Sequence, residues 1–422
     1  MEDLYDITVI GLGGHGSSTF FHVAKNQYKV LGIEQYKIAH NLGSSHGDTR
    51  ITRKLTFEDP VYYDLVESSF QVFEELSKLS KKQIFKKTGG LFMGTKDSNL
   101  VNQCLMINQV KGVPIQILCK DQITANFPHF EFENEDIIGV FDENAGVLFA
   151  ENCIQAFIEE GLKINKDARI VENCKYLKHQ KNEEDIFEIV TDIGKIKSKK
   201  IVFACGMWNV NIIKGVPFEI RKIQLFWFNV PPQIDLGMQK CPIFMYEVSK
   251  NPMYYVYGFP NVQNQGIKLG FSPNQHCKII ENPNFPTRSV DTFEKVRMKH
   301  ILQEFFPCIS KENVIDEKEC FVTLTPDENF VIDFDQEDKN IIYISPCSGH
   351  GFKYTGGVGK LVSEMVENQK VYYDLFRIKR FEGSQYKGKR WGDSFIKFDE
   401  GFDQKNRFRK YFNNNNNNRP SL

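Results

Sequence analysis

The chain has 422 residues, 41% hydrophobic and 13% aromatic, enough to bury a large core in two domains or in one domain with a big insertion. Its 53 basic and 54 acidic side chains leave a formal charge of −1, so no global field draws it to nucleic acid or to an anionic membrane. No apolar run approaches the roughly 18 residues that span a bilayer, the acidic start is unlike a secretory signal, and the ten cysteines are scattered without a CxxC pair, which predicts free thiols, no metal site and a reducing compartment.

Residues 5–10 form a short β-branched run, 17–26 read as a helix, and 29–34 read as a second strand ending in an acid. Between the first strand and the helix lies Gly11-Leu12-Gly13-Gly14-His15-Gly16, a dinucleotide fingerprint. Gly11 permits the tight turn, Gly13 brings the backbone close to a pyrophosphate, and Gly16 allows close helix packing, with Gly14 beside them in the loop. Glu34 is placed to accept hydrogen bonds from a ribose diol. The fingerprint alone leaves NAD and FAD open.

Farther along, 59–80 shows helical spacing, 88–94 is strand-like and 147–160 is again helical. Residues 187–202 read as a hairpin followed by an apolar strand, a return to α/β texture after an insertion. Aromatic β-rich runs at 224–230, 253–259 and 266–271, then a charged helix at 289–306, suggest the curved sheet of a second domain. A strand at 340–346, a glycine-rich turn and a helix at 357–366 close the α/β pattern. The expected fold is therefore α/β, α+β overall: a Rossmann-like nucleotide-binding domain in three pieces, interleaved with a mixed-sheet domain. Beyond about 385 the chain is polar, carries an asparagine tract at 413–418, and ends in Pro-Ser-Leu.

Four places carry chemistry, each with a plainer alternative. Arg50 and Arg53, three apart, would share one face of a helical turn and could hold a carboxylate, or could be surface charges. The turn Ser348-Gly349-His350-Gly351-Phe352-Lys353 could offer N–H groups and an ammonium to an anion, or simply be a tight turn. Lys268 sits in a strand between apolar residues, where a lysine ordinarily points to solvent. Cys320 opens an apolar strand and reads as a buried, inert thiol.

Together these places resemble one family, the monomeric sarcosine oxidases and their peroxisomal sarcosine or pipecolate oxidase relatives, over roughly residues 5 to 380. The likeness rests on residues 43–53 (GSSHGDTRITR), 144–153 (NAGVLFAENC), 257–260 (YGFP), Cys320 with 325–328 (TPDE) and 332–333 (ID) downstream, and 348–353 (SGHGFK). It implies FAD, attached by a thioether from its 8α carbon to Cys320 and cradled by Gly11, Gly13, Gly14, Gly16, Glu34, Gly349 and Gly351. A cysteine that attacks a flavin calls for cationic neighbours. The resemblance also implies an FAD-binding domain of residues 1–90, 145–220 and 318–385, a substrate domain of 91–144 and 221–317, and a tail from 386. Arg53 and Lys353 match positions that bind the substrate carboxylate; His46, Arg50 and Lys268 match positions packed against the isoalloxazine ring, where cations favour hydride transfer to flavin N5 and then reduction of dioxygen to hydrogen peroxide.

Two departures bear on the substrate. Ser272 stands where the compared oxidases carry histidine, and Val322 where they carry tyrosine, so a cyclic or bulkier N-substituted amino acid fits better than sarcosine. An FAD dehydrogenase using another acceptor, a non-catalytic flavin-binding redox sensor, and an NAD-dependent enzyme remain as alternatives. The partners implied are a small amino acid and dioxygen, with the protein a monomer. Pro-Ser-Leu on a flexible tether could address a peroxisomal import receptor; an ordinary tail in a cytoplasmic protein is the alternative.

Overall fold

The computed structural model describes residues 3–56, 58–250, 253–273, 276–284 and 292–383. Its first sheet is built around strand Leu4–Ile10, which runs parallel to Val30–Ile33 on one side and Lys195–Phe203 on the other. Ile341–Ser345 is also parallel to Lys195–Phe203, so stretches of chain far apart in sequence share one sheet. Val30–Ile33 is buried at every position because layers cover both faces, which is why it reads as a continuous apolar run without alternation. Helices Gly14–Lys25 and Thr355–Asn368 pack together with Phe20, Val23, Val358 and Val362 in the largest core cluster.

The second sheet has the strand order Val314–Leu324, Glu219–Phe228, Ile267–Phe271, Met253–Gly258, Ile243–Lys250, Gly90–Thr95, Ile137–Asp142, Gln116–Cys119. It is mixed: Ile243–Lys250 runs parallel to Gly90–Thr95 and the other pairs are antiparallel. Alternation sorts its faces. In Glu219–Phe228, Phe226 and Phe228 join an aromatic core with helix Thr292–Phe305, while Ile223, Leu225 and Trp227 pack with Cys320 and Val322 on the other side. A three-stranded sheet, Thr49–Thr52 with Gly146–Phe149 and Phe85–Lys87, completes the scaffold.

Several sequence expectations need correction. The stretch 147–160 is not one helix: Gly146–Phe149 pairs with Thr49–Thr52, and the helix is Ala150–Ile164. A four-residue apolar run beside a helix has no period of its own, so only the partner strand decides it. Arg50 does not lie in a helical turn but in the strand Thr49–Thr52, which Arg53 follows. Cys320 lies well inside Val314–Leu324 rather than at its start, since the charged residues 316–319 already pair with the neighbouring strand. The first helix begins at Gly14, so the glycine-rich turn is also its first turn. The charged helix is Thr292–Phe305; residues 289–291, the tail from 386 with its asparagine tract, and Pro-Ser-Leu lie outside the described residues. Among the described residues no helix is long and apolar enough to cross a membrane.

Candidate active site

A cavity of about 400 Å³ is lined from both large sheets, from the glycine turn at one end to Lys268, Cys320 and Lys353 at the other. Gly11 has φ +89°, and a Cβ on Gly16 would collide with the Gly11 carbonyl oxygen, so the turn can close onto the helix only with both glycines. Gly13 caps the helix without a side-chain bond and the first turn holds no acid. Its N–H groups and dipole therefore suit a phosphate. Glu34 accepts from Leu12 N at 2.8 Å and Tyr36 N at 3.1 Å, with His40 Nε2 at 3.4 Å, which fixes its carboxylate in the cavity wall. Gly11, Gly13 and Gly14 line the cavity; Gly16 lies behind them. At the far end Gly349 has φ +78°, and a Cβ on Gly351 would meet the Pro346 carbonyl oxygen. This glycine-lined channel, acid at one end and cations at the other, fits a dinucleotide.

Arg50 is held rather than free: Nη2 donates to Ser44 O at 2.8 Å and His46 O at 2.7 Å, and Nη1 to Thr49 O at 2.7 Å. These bonds leave Nη2 3.9 Å from the Sγ of Cys320, which is also 3.6 Å from Ser44 O. The thiol thus sits in the cavity wall beside a guanidinium. His46 is buried and serves through its carbonyl; its ring does not line the cavity. Lys268 does not point to solvent. It is 3% exposed and donates to Gly47 O at 2.6 Å, Thr49 O at 2.8 Å and Thr49 Oγ1 at 3.1 Å. Burial, followed by Arg50, pushes its ammonium well below the ordinary lysine value, while Asp48 and Glu151 act in the opposite direction.

Arg53, expected as a possible surface charge, is 2% exposed. Its Nη1 donates to Leu55 O, and its Nη2 meets Glu58 Oε1 at 2.8 Å. Lys353 Nζ reaches the same Glu58 oxygen at 2.8 Å and His350 O at 2.8 Å, and Tyr354 OH donates to Glu58 Oε2 at 3.3 Å. Burial alone would raise the Glu58 carboxyl, but Arg53 and Lys353 outweigh it and hold it well below the usual carboxylate range. Burial lowers Lys353 to about 7 although Glu58 supports its charge. His350, stripped of water, falls to about 4 and is neutral at physiological pH. The site therefore holds two cations closed over one internal carboxylate.

The cavity brings together Gly11, Gly13, Gly14, Glu34, Arg50, Arg53, Lys268, Cys320, Gly349, Gly351 and Lys353, all named from the sequence. Sequence reasoning missed Glu58, which carries no motif and becomes visible only when Lys353 reaches it from 295 positions away, beside the nearby Arg53. It also gave no role to Met245, Tyr255, Tyr257 and Phe259, which form one wall; the motif at 257–260 and alternation along Met253–Gly258, which pairs with the lysine strand, were the available signals. Ser272 and Val322 both line the cavity, and Ser272 Oγ accepts the Tyr255 N–H at 3.0 Å.

With this geometry in hand, comparison with known proteins is direct. Residues 6–365 match the family described as FAD dependent oxidoreductase, DAO. The chain is 30% identical to the monomeric sarcosine oxidase of Bacillus sp. (strain B-0618), covering 90% of this chain and 97% of that one. It is 26% identical to the peroxisomal sarcosine oxidase of Homo sapiens over 90% and 97% of the two chains. In fold it resembles the L-proline dehydrogenase of P. horikoshii, with a TM-score of 0.74 at 21% identity, covering 90% and 99%. The chain belongs to the FAD-dependent oxidoreductase (DAO) family, as a flavin-dependent amino acid or amine oxidase of the sarcosine oxidase type.

Proposed function

We propose that the protein oxidises secondary amino acids, such as sarcosine, L-pipecolate or related N-alkyl amino acids, to imines, and passes the electrons to dioxygen to give hydrogen peroxide. The observation that carries this reading is the pair Arg53 and Lys353, which both line the cavity and both hold the Glu58 carboxylate. A pair of buried cations that already holds an internal carboxylate has the charge and spacing to hold the carboxylate of an amino acid. When bound, FAD supplies the hydride acceptor and, once reduced, the electrons for dioxygen.

The chain's own groups do the rest. Gly11, Gly13, Gly14 and Gly16 shape the phosphate cradle, Glu34 takes the ribose, and Gly349 and Gly351 let the second turn approach the ring. Arg53 and Lys353 fix the substrate carboxylate and so place the reacting carbon. Lys268, Arg50 and His46 belong to the ring end, the first two adding positive charge where negative charge develops. Cys320, with a guanidinium beside it, is the attachment point for the 8α carbon. Ser272, whose hydroxyl accepts a backbone N–H, and Val322 leave the amine pocket bounded by Met245, Tyr255, Tyr257 and Phe259, which favours a cyclic or bulkier N-substituent over N-methyl.

We assign residues 1–90, 145–220 and 318–385 to cofactor binding and 91–144 and 221–317 to the substrate side, with the strand that carries Cys320 hydrogen-bonded into the substrate sheet. A monomer imported into peroxisomes through Pro-Ser-Leu fits a peroxide-forming activity. Deleting the last three residues from a fluorescent fusion tests that address: unchanged puncta would remove it.

The activity is tested by a panel of sarcosine, L-pipecolate, L-proline and N-methyl amino acids with peroxide readout. Turnover with a dye acceptor but no oxygen consumption would overturn the oxidase. Denaturing the purified protein tests the linkage: yellow colour should stay with the chain, and should be released from Cys320→Ser.

A further inference from the structure

The turn Gly47-Asp48-Thr49 presents its carbonyls inward to Lys268, and it does so in an unusual backbone shape. Gly47 has φ +86° and Asp48, not a glycine, has φ +68°. A residue with a Cβ held left-handed needs its surroundings to keep it there. Each polar group of Asp48 is fixed from outside. Its N–H donates to Glu151 Oε1 at 3.2 Å, its carbonyl accepts Ala150 N at 3.0 Å, and its Oδ2 pairs with Lys318 Nζ at 3.2 Å. Glu151 stands in the first turn of Ala150–Ile164, where the helix dipole favours a negative charge.

The inner face of the turn is matched to an ammonium. The three acceptors Gly47 O, Thr49 O and Thr49 Oγ1 meet the three N–H groups of a protonated lysine. A neutral amine has two donors and would turn a lone pair toward an oxygen. Against this cage stand burial and Arg50; on the side of the charge stand Asp48 and Glu151. The rings of Trp227 and Phe259 complete the surroundings at 5.4 and 4.7 Å, and Lys318 lies 4.7 Å from the same Trp227 ring.

We infer that Glu151, acting through Asp48, is a positioning residue for Lys268: it pins the left-handed turn that cages the ammonium and supplies an outer negative charge that keeps the buried cation charged beside the flavin. This rests on the oxidase reading for the importance of Lys268 in reducing dioxygen, but the cage itself is a property of the chain.

Two measurements test it. In the first, anaerobic reduction by an amine substrate is separated from reoxidation by dioxygen. Glu151→Gln should slow reoxidation about tenfold and shift the loss of the fast phase to lower pH, because Lys268 gives up its proton sooner; reduction should stay within about twofold. Equal slowing of both phases, or an unmoved pH profile, would overturn the inference.

The second needs no turnover. In a urea-denaturation double-mutant cycle, Glu151→Gln should raise the unfolding equilibrium constant about fivefold more in the intact chain than in Lys268→Met, where only the helix-dipole contribution of Glu151 remains to be lost. Equal effects in both backgrounds would show that Glu151 does not act through Lys268. Asp48→Asn, which keeps the backbone bonds and removes the charge, should reproduce the pH shift if charge matters and leave it in place if only the turn does; no shift in either variant overturns the electrostatic part. A protein that consumed no oxygen with any amine would sink the oxidase reading while the cycle still decided the role of Glu151.

Discussion

Arg53, Glu58 and Lys353 show what burial does to charges that cannot leave. Removing Glu58 strands two cations, and breaking such a buried network costs on the order of 3–5 kcal/mol. Glu58→Gln should therefore lower the melting temperature, and a carboxylate ligand should restore it, binding about tenfold tighter because the competing internal carboxylate is gone. Thermal shift with and without an unreactive carboxylate analogue measures both; no rescue would mean that the ligand does not enter between Arg53 and Lys353. Lys353 adds a pH dependence. With its ammonium depressed to about 7 by burial, the free site loses its proton as pH rises through that value. Binding a carboxylate must then bring a proton back, so affinity should fall as pH rises above about 7, and Lys353→Met should bind weakly at every pH. At this scale the sequence announced residue types but not their partners: Arg53 and Lys353 were visible in motifs, whereas Glu58 was one acid among 54.

Elements with a period or punctuation of their own were legible. The first strand, the glycine turn, the helix Gly14–Lys25 and the helix Thr355–Asn368 follow from β-branched runs, helical spacing and glycines at defined offsets. Where an element depends on its neighbour it was not legible: Gly146–Phe149 is a strand because Thr49–Thr52 lies beside it, and that pairing also turns Arg50 and Arg53 out of the helical relation their spacing suggests. The glycine turn carries a prediction of its own. Gly16→Ala places a methyl against the Gly11 carbonyl and must push helix and turn apart, costing about 1–3 kcal/mol. Purified Gly16→Ala should hold at most about a tenth of the wild-type flavin per chain, read from the visible-to-ultraviolet absorbance ratio; full flavin content would show that the turn tolerates the methyl.

Across the whole molecule, the phosphate cradle belongs to the first sheet and Cys320 to the second, so a bound dinucleotide would tie the two together. Ligand bound only by the folded chain stabilises it by mass action, and a covalent tie cannot dissociate when the protein is diluted. Melting of wild type should therefore be independent of protein dilution and of added FAD, while Cys320→Ser should melt lower and recover with added FAD. The same melting behaviour in both would argue against the tie. From sequence alone came the α/β class, the dinucleotide turn and most of the charged and glycine residues of the cavity, because these follow from local periodicity, backbone freedom at glycine and motifs that survive without their context. Only the tertiary structure decided which charges are buried and what they face. The desolvated grip of Arg53 and Lys353 on Glu58, and the cage of Lys268 under Asp48 and Glu151, come from segments distant in the chain, and burial and partnership are properties that no local pattern encodes.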